Sequence, residues 1–136
     1  NDSRDDFQMM EDRNGVPLYM KVAEKVVDWN LKYCQVGAVI GATVGNREFI
    51  GLIRFFYSKL KRLPPILIPG IGSQGGRCVS VINNVVRALY AEGVTNKLDV
   101  KKELNNVILN NSSEIMKSSN PLREIKKMRK EIDKSY

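Results

Sequence analysis

The chain has 136 residues, 43% of them hydrophobic and 27% charged, with a formal net charge of +7 and no histidine. Length and composition suit one globular domain with a sizeable core and exclude a chain that is disordered throughout. The missing histidine excludes Ser-His and Cys-His catalysis and argues against a zinc site, so no metal is expected.

The longest weakly polar run, VGAVIGATVG at 36–45, is too short to cross a bilayer, and the polar, acidic opening residues carry no leader pattern. A soluble, cytoplasmic protein without membrane contact is expected. Cys34 and Cys78 stand in apolar surroundings without CxxC spacing and are expected as buried free thiols of a reducing compartment. The basic excess is mixed with acids, as in KKELNN at 101–106 and REIKKMRKEIDK at 123–134, the pattern of solvated helix faces. The tightest basic cluster, Lys59, Lys61 and Arg62, lacks the interleaved aromatics on which single-stranded nucleic acids stack, so no nucleic-acid partner is expected.

In chain order, residues 1–14 (NDSRDDFQMMEDRN) read as a loop. Residues 16–33 (VPLYMKVAEKVVDWNLKY) then place Leu18, Val22, Val26 and Trp29, with Ala23, on one helical stripe, and Pro17 suits a first turn. QVGAVIGAT at 35–43 is short and apolar at successive positions, which predicts a strand buried on both faces. The segment 46–60 carries Phe49, Leu52, Ile53, Phe56 and Leu60 on a helical face. PILIP at 65–69 predicts a second buried strand, and 75–93 a helix ended by Gly93. Residues 94–105 read as an extended connection or a short helix, NVILNN at 106–111 as a third strand, and 120–136 as a closing helix. Helices and apolar strands in alternation predict an α/β architecture with parallel strands and right-handed crossovers. Three such strands make a poor sheet by themselves, so further strands are expected from elsewhere.

The stretch PPILIPGIGSQGG, residues 64–76, bears on function. Gly70, Gly72 and Gly75 fit G-x-G-x-x-G between a strand and a helix, but the following strand ends in Asn110 and Asn111 instead of the acid that binds a ribose. A P-loop fails for want of a following Gly-Lys-Ser/Thr. Two readings stay open at this point. The glycines let backbone approach an oxyanion at the start of a helix near Gly76, with Gln74 as a neutral donor, or they simply make a tight turn.

The words NGVPLYMKVAEKVVDWN, VGAVIGATVGNREFIGLIRFF, PPILIPGIGSQGG and NNVILNNSSEI followed by SSNP resemble, in order, segments of the orotidine 5′-phosphate decarboxylase family, above all its longer bacterial and apicomplexan subfamily. The resemblance implies a TIM (β/α)8 barrel of which this chain supplies about the last three strands and four helices. Residues 1–136 would then be the carboxyl-terminal half of one barrel domain, with 1–14 the loop after strand five and 15–136 running from helix five to helix eight. It further implies conversion of orotidine 5′-phosphate to UMP and CO2 in pyrimidine biosynthesis without cofactor, by a protein that is a homodimer when intact.

Position by position, Gln74 matches the glutamine that contacts the substrate phosphate, and Gly75 and Gly76 match the backbone that cradles it. Ser113 stands where the family has a phosphate-pairing arginine, with Glu114 beside it. The charge-assisted fork of that arginine is lost there, and a carboxylate nearby is unfavourable to an anion. The family's catalytic word, D-x-K-x-x-D on strands two and three, is absent. Its nearest echo, Asp99, Lys101 and then Leu104, follows no buried strand and reads as a charged surface segment. No catalytic residue is therefore expected in this chain. Its alternative role is that of a non-catalytic phosphate-binding or scaffolding half-barrel.

Overall fold

Each apolar run of the sequence is short enough to pass once across a small sheet, and each amphipathic segment is long enough to return along it. In a computed structural model that describes residues 4–134, they form strands β1 (Ala38–Val39), β2 (Ile66–Ile68) and β3 (Val107–Leu109), paired in parallel in that order. The connections are helical: α1 (Leu18–Tyr33) precedes β1, α2 (Asn46–Leu60) joins β1 to β2, and α3 (Cys78–Ala91) with α4 (Lys97–Leu104) joins β2 to β3. After β3 come α5 (Ser112–Lys117) and α6 (Pro121–Asp133). Residues 1–3 of the expected opening loop and 135–136 of the expected closing helix lie outside the described residues.

The two helices flanking β2 make the core because their apolar positions recur every three or four residues. Phe49, Leu52, Ile53 and Phe56 of α2 are buried, as are Val81, Ile82, Val85, Val86 and Leu89 of α3. Ile66 and Ile68 of β2 meet this layer fully buried. At the amino ends of the strands a polar clasp holds the chain: buried Glu103 accepts the Leu63 N–H at 2.6 Å, Asn106 Nδ2 donates to the Leu63 carbonyl at 3.0 Å, and Arg62 donates to buried Asn30.

The structure departs from the expectation of strands buried on both faces. Register aligns Val39 with Leu67 and Leu67 with Ile108, so these three form one row across the sheet. Val39 is 68% exposed and Ile108 53%, because helices cover only the opposite face. β1 is also an edge strand. Its N–H groups at Ala38, Ile40 and Ala42 donate to the carbonyls of Pro65, Leu67 and Pro69, which satisfies one side of the strand only. The expected nine-residue strand accordingly shortens to Ala38–Val39.

Other corrections follow from where packing partners lie. The helix at 18–33 forms, but it buries Ala23, Val26, Val27 and Asn30 and leaves Leu18, Val22 and Trp29 exposed, since α2 meets it on a face rotated from the expected stripe. Cys34 is exposed: it sits past the end of α1 with φ 56°, outside the packed face, whereas Cys78 is buried at the start of α3. Residues 94–105 take the helical alternative as α4, and with the short α5 they bring the described α-helices to six, not four. The expected opening loop contains a π-helical turn at Arg4–Gln8. Asp12 then closes a turn into α1 by accepting from the N–H groups of Val16 and Asn14 and from Lys21, contacts that hold its carboxyl below the usual carboxylate range. Among the described residues no helix is long and apolar enough to cross a membrane.

Burial of Cys78 raises its thiol pKa, which keeps it protonated and unreactive near neutral pH. Alkylation of the native protein at pH 7.5 to 8 (roughly the onset of thiolate formation) should therefore modify Cys34 quickly and Cys78 only after unfolding. Equal labelling of both thiols in the native state would contradict this placement.

Candidate functional site

Parallel strands deliver their following loops to one end of the sheet, and ligands of open α/β sheets bind outside the carboxyl ends of strands. Three loops meet at that end: residues 40–45 after β1, 69–77 after β2 and 110–111 after β3. The middle one is the glycine loop. It folds on itself through three backbone bonds: Gly72 N–H to the Gly76 carbonyl (2.9 Å), Gly75 N–H to Gly72 (2.8 Å) and Gly76 N–H to Gly70 (3.0 Å). Gly70, Gly72 and Gly75 have φ of 93°, 81° and 93°, where other residues are strained.

Two glycines also make room for neighbouring loops. A Cβ at Gly76 would stand 2.5 Å from both the Ala42 methyl and the Gly70 carbonyl oxygen, so Gly76 lets the loops after β1 and β2 touch. A Cβ at Gly72 would stand 2.5 Å from the carboxyl carbon of Glu114 and 2.6 Å from Asn111 Oδ1, so Gly72 does the same towards β3. Gly75 differs: nothing lies within 4 Å of its missing side chain, which faces open space.

Helix α3 begins at Cys78 with Arg77 as N-cap, two residues beyond the expected start at Gly76, because Gly75 and Gly76 are engaged in the loop's own bonds. Arg77 supplies no side-chain cap, so the first-turn N–H groups of this 14-residue helix point out of its amino end. Among the described residues, the loop N–H groups of Ser73, Gln74 and Arg77 meet no backbone carbonyl acceptor. The donors on offer to an anion are thus these groups and the Gln74 side chain, whose Oε1 lies over Gly70. Gly75 and Gly76 shape the loop, and their own N–H groups are already bonded.

Ser113 lies half-buried in the first turn of α5, on the neighbouring loop. Glu114 rather than Ser113 reaches the glycine loop, and it is held there by Asn111, whose Nδ2 donates to Glu114 Oε2 at 2.7 Å. Sequence reasoning missed Asn111. Its burial comes from the packing of α6 over α5, for which the local sequence carries no signal. Asp99 and Lys101 are exposed on α4, the helix that leads into the amino end of β3 and away from the glycine loop, as their surface reading expects.

An orotidine 5′-phosphate decarboxylase of Bordetella petrii is 39% identical over 79 residues, covering 57% of this chain and 27% of that protein. One of Dehalococcoides mccartyi is 40% identical over 87 residues, 62% of this chain and 30% of the relative, and one of Herpetosiphon aurantiacus 40% over 103 residues, 68% and 36%. Over these stretches the chain is similar to orotidine 5′-phosphate decarboxylases. The matched stretches span about a third of the length of these curated relatives. No family model matches the chain, and no solved structure does. Beside this decarboxylase likeness, the chain is α/β with a three-stranded parallel sheet, one face of which the helices leave uncovered.

Proposed function

We propose that this chain is the carboxyl-terminal half of a TIM-barrel orotidine 5′-phosphate decarboxylase and carries the site for the substrate's phosphate. The observation that carries the reading is the family likeness at about 40% identity, combined with a glycine loop at the carboxyl end of a parallel strand, where barrels commonly bind phosphate. In this reading Gln74 donates its side-chain amide to the phosphate, and Gly75 and Gly76 keep the loop in the shape that aims the N–H groups of Ser73, Gln74 and Arg77. Ser113 adds one hydroxyl from the next loop. The reacting pyrimidine and the groups that expel CO2 and protonate the ring lie on the part of the barrel that this chain does not contain. Binding energy from the remote phosphate then serves the reaction at the ring.

The missing layer is part of the same proposal. The row Val39, Leu67 and Ile108 would face the barrel interior, and the preceding strand would pair with the β1 edge. A cavity of about 560 Å3 beside that edge, lined by Leu18, Val22, Val39, Val44 and Phe56 among others, supports an apolar neighbour there. A cytoplasmic location and a homodimer of intact barrels complete the proposal.

Calorimetric titration of the intact protein with UMP tests it. Binding should weaken about tenfold in Gln74→Ala, the loss of one hydrogen bond to a charged group, and strengthen about tenfold in Ser113→Arg, which restores a charge-assisted pair. No heat at millimolar UMP would sink the reading.

A second reading, a non-catalytic half-barrel scaffold, is favoured by one observation: the Glu114 carboxylate stands against Gly72, where it repels an anion. Under that reading Ser113→Arg leaves phosphate binding unchanged.

A further inference from the structure

The glycine loop ends on a cation that the fold does not use. Arg77 is exposed, and among the described residues its guanidinium forms no ion pair and no hydrogen bond. Acids are close at hand: burial first, and then the carboxylates of Glu131 and Glu114, raise the thiol pKa of Cys78, the next residue. Arg77 pairs with neither. It is extended, with φ −117° and ψ 129°, and successive side chains of extended backbone point to opposite sides, so Cys78 turns inward and Arg77 outward.

Arg77 is also a poor start for a helix. N-caps favour Ser, Thr, Asp or Asn, whose side chains take up a first-turn N–H, and a cation at this end opposes the helix dipole. Arg77 offers no such cap, and the first turn of α3 holds no acid to offset its charge. Sequences break local rules of this kind chiefly where a residue serves a site.

The place it serves is adjacent. The N–H of Arg77 belongs, with those of Ser73 and Gln74, to the donors that the loop leaves open, and all three residues are exposed. Its side chain therefore starts from the rim of the place an anion would take and is long enough to fold back over it. On the next loop Ser113 carries no charge and Glu114 carries the wrong one. From these observations we propose that the Arg77 guanidinium pairs with the substrate's phosphate, in place of the arginine that Ser113 lacks. This rests on the phosphate reading of the loop given above and adds its cation. The planar guanidinium donates two N–H bonds to phosphate oxygens, while the loop N–H groups and the Gln74 amide hold the others.

Calorimetric titration of the intact protein with UMP, together with thermal unfolding in the absence of ligand, tests the role of Arg77. Arg77→Asn removes the charge and supplies a better N-cap. It should bind UMP about tenfold or more weakly and melt no lower than the unaltered protein. Arg77→Lys keeps the charge without the fork and should recover part of the lost affinity. UMP affinity unchanged in Arg77→Asn overturns the proposal, and if Gln74→Ala still weakens binding, the phosphate reading stands without it. A weakened Arg77→Asn that also melts lower, or an Arg77→Lys that binds no better than Arg77→Asn, assigns Arg77 to the fold and overturns the proposal as well. An unaltered protein that binds no UMP overturns both the proposal and the phosphate reading.

Discussion

Ile108→Lys should leave the isolated 136-residue chain about as stable as before, yet destabilise the intact protein by about 3 kcal/mol, the typical cost of an uncompensated buried charge. Ile108 is 53% exposed and stands in register with Leu67, on the face that the helices do not cover. In the chain alone a lysine there keeps its head in water and lays its methylenes along the sheet. Inside a closed barrel it would sit in the packed interior without a partner. Thermal or denaturant unfolding of both forms, with and without the substitution, measures the contrast. A change below about 0.5 kcal/mol in the intact protein, the ordinary surface value, would mean that nothing covers this face.

Gly76→Val is expected to cost about 3 kcal/mol, the upper end for overpacking, and to abolish binding of UMP. The first Cβ atom would already lie 2.5 Å from the Ala42 methyl and from the Gly70 carbonyl oxygen. One of these is backbone and cannot swing aside, so the loop must open, and opening breaks the Gly76-to-Gly70 bond that shapes it. Gly75→Ala is the control. Its side chain meets only open space, and the penalty is the strain of φ at 93°, about 1 kcal/mol. A Gly76 variant as mild as the Gly75 variant would show that the loops after β1 and β2 do not pack as described.

The helices around β2 were legible because burial there obeys a local rule. Phe49, Leu52, Ile53 and Phe56 recur at helical spacing, and the structure buries all four. The parallel sense of the strands was legible from the alternation of segments. What the sequence hid depends on neighbours that no local pattern names. Val39 reads as core, yet it is exposed because the sheet has an uncovered face. Trp29 reads as part of a buried stripe, yet α2 contacts a face of α1 rotated away from it. The candidate site divides in the same manner. The glycine word and the departure at Ser113 and Glu114 stand in the sequence, whereas the closure of the Gly75 and Gly76 N–H groups within the loop, and the burial of Asn111 against α6, arise only from folding.

Release of CO2 from orotidine 5′-phosphate by the intact protein tests most directly the function we propose for this chain. Turnover is expected, with KM raised about tenfold in Gln74→Ala if the glutamine acts through the phosphate and not at the ring. An intact protein that binds UMP and releases no CO2 would contradict the claim and leave the scaffold reading in its place.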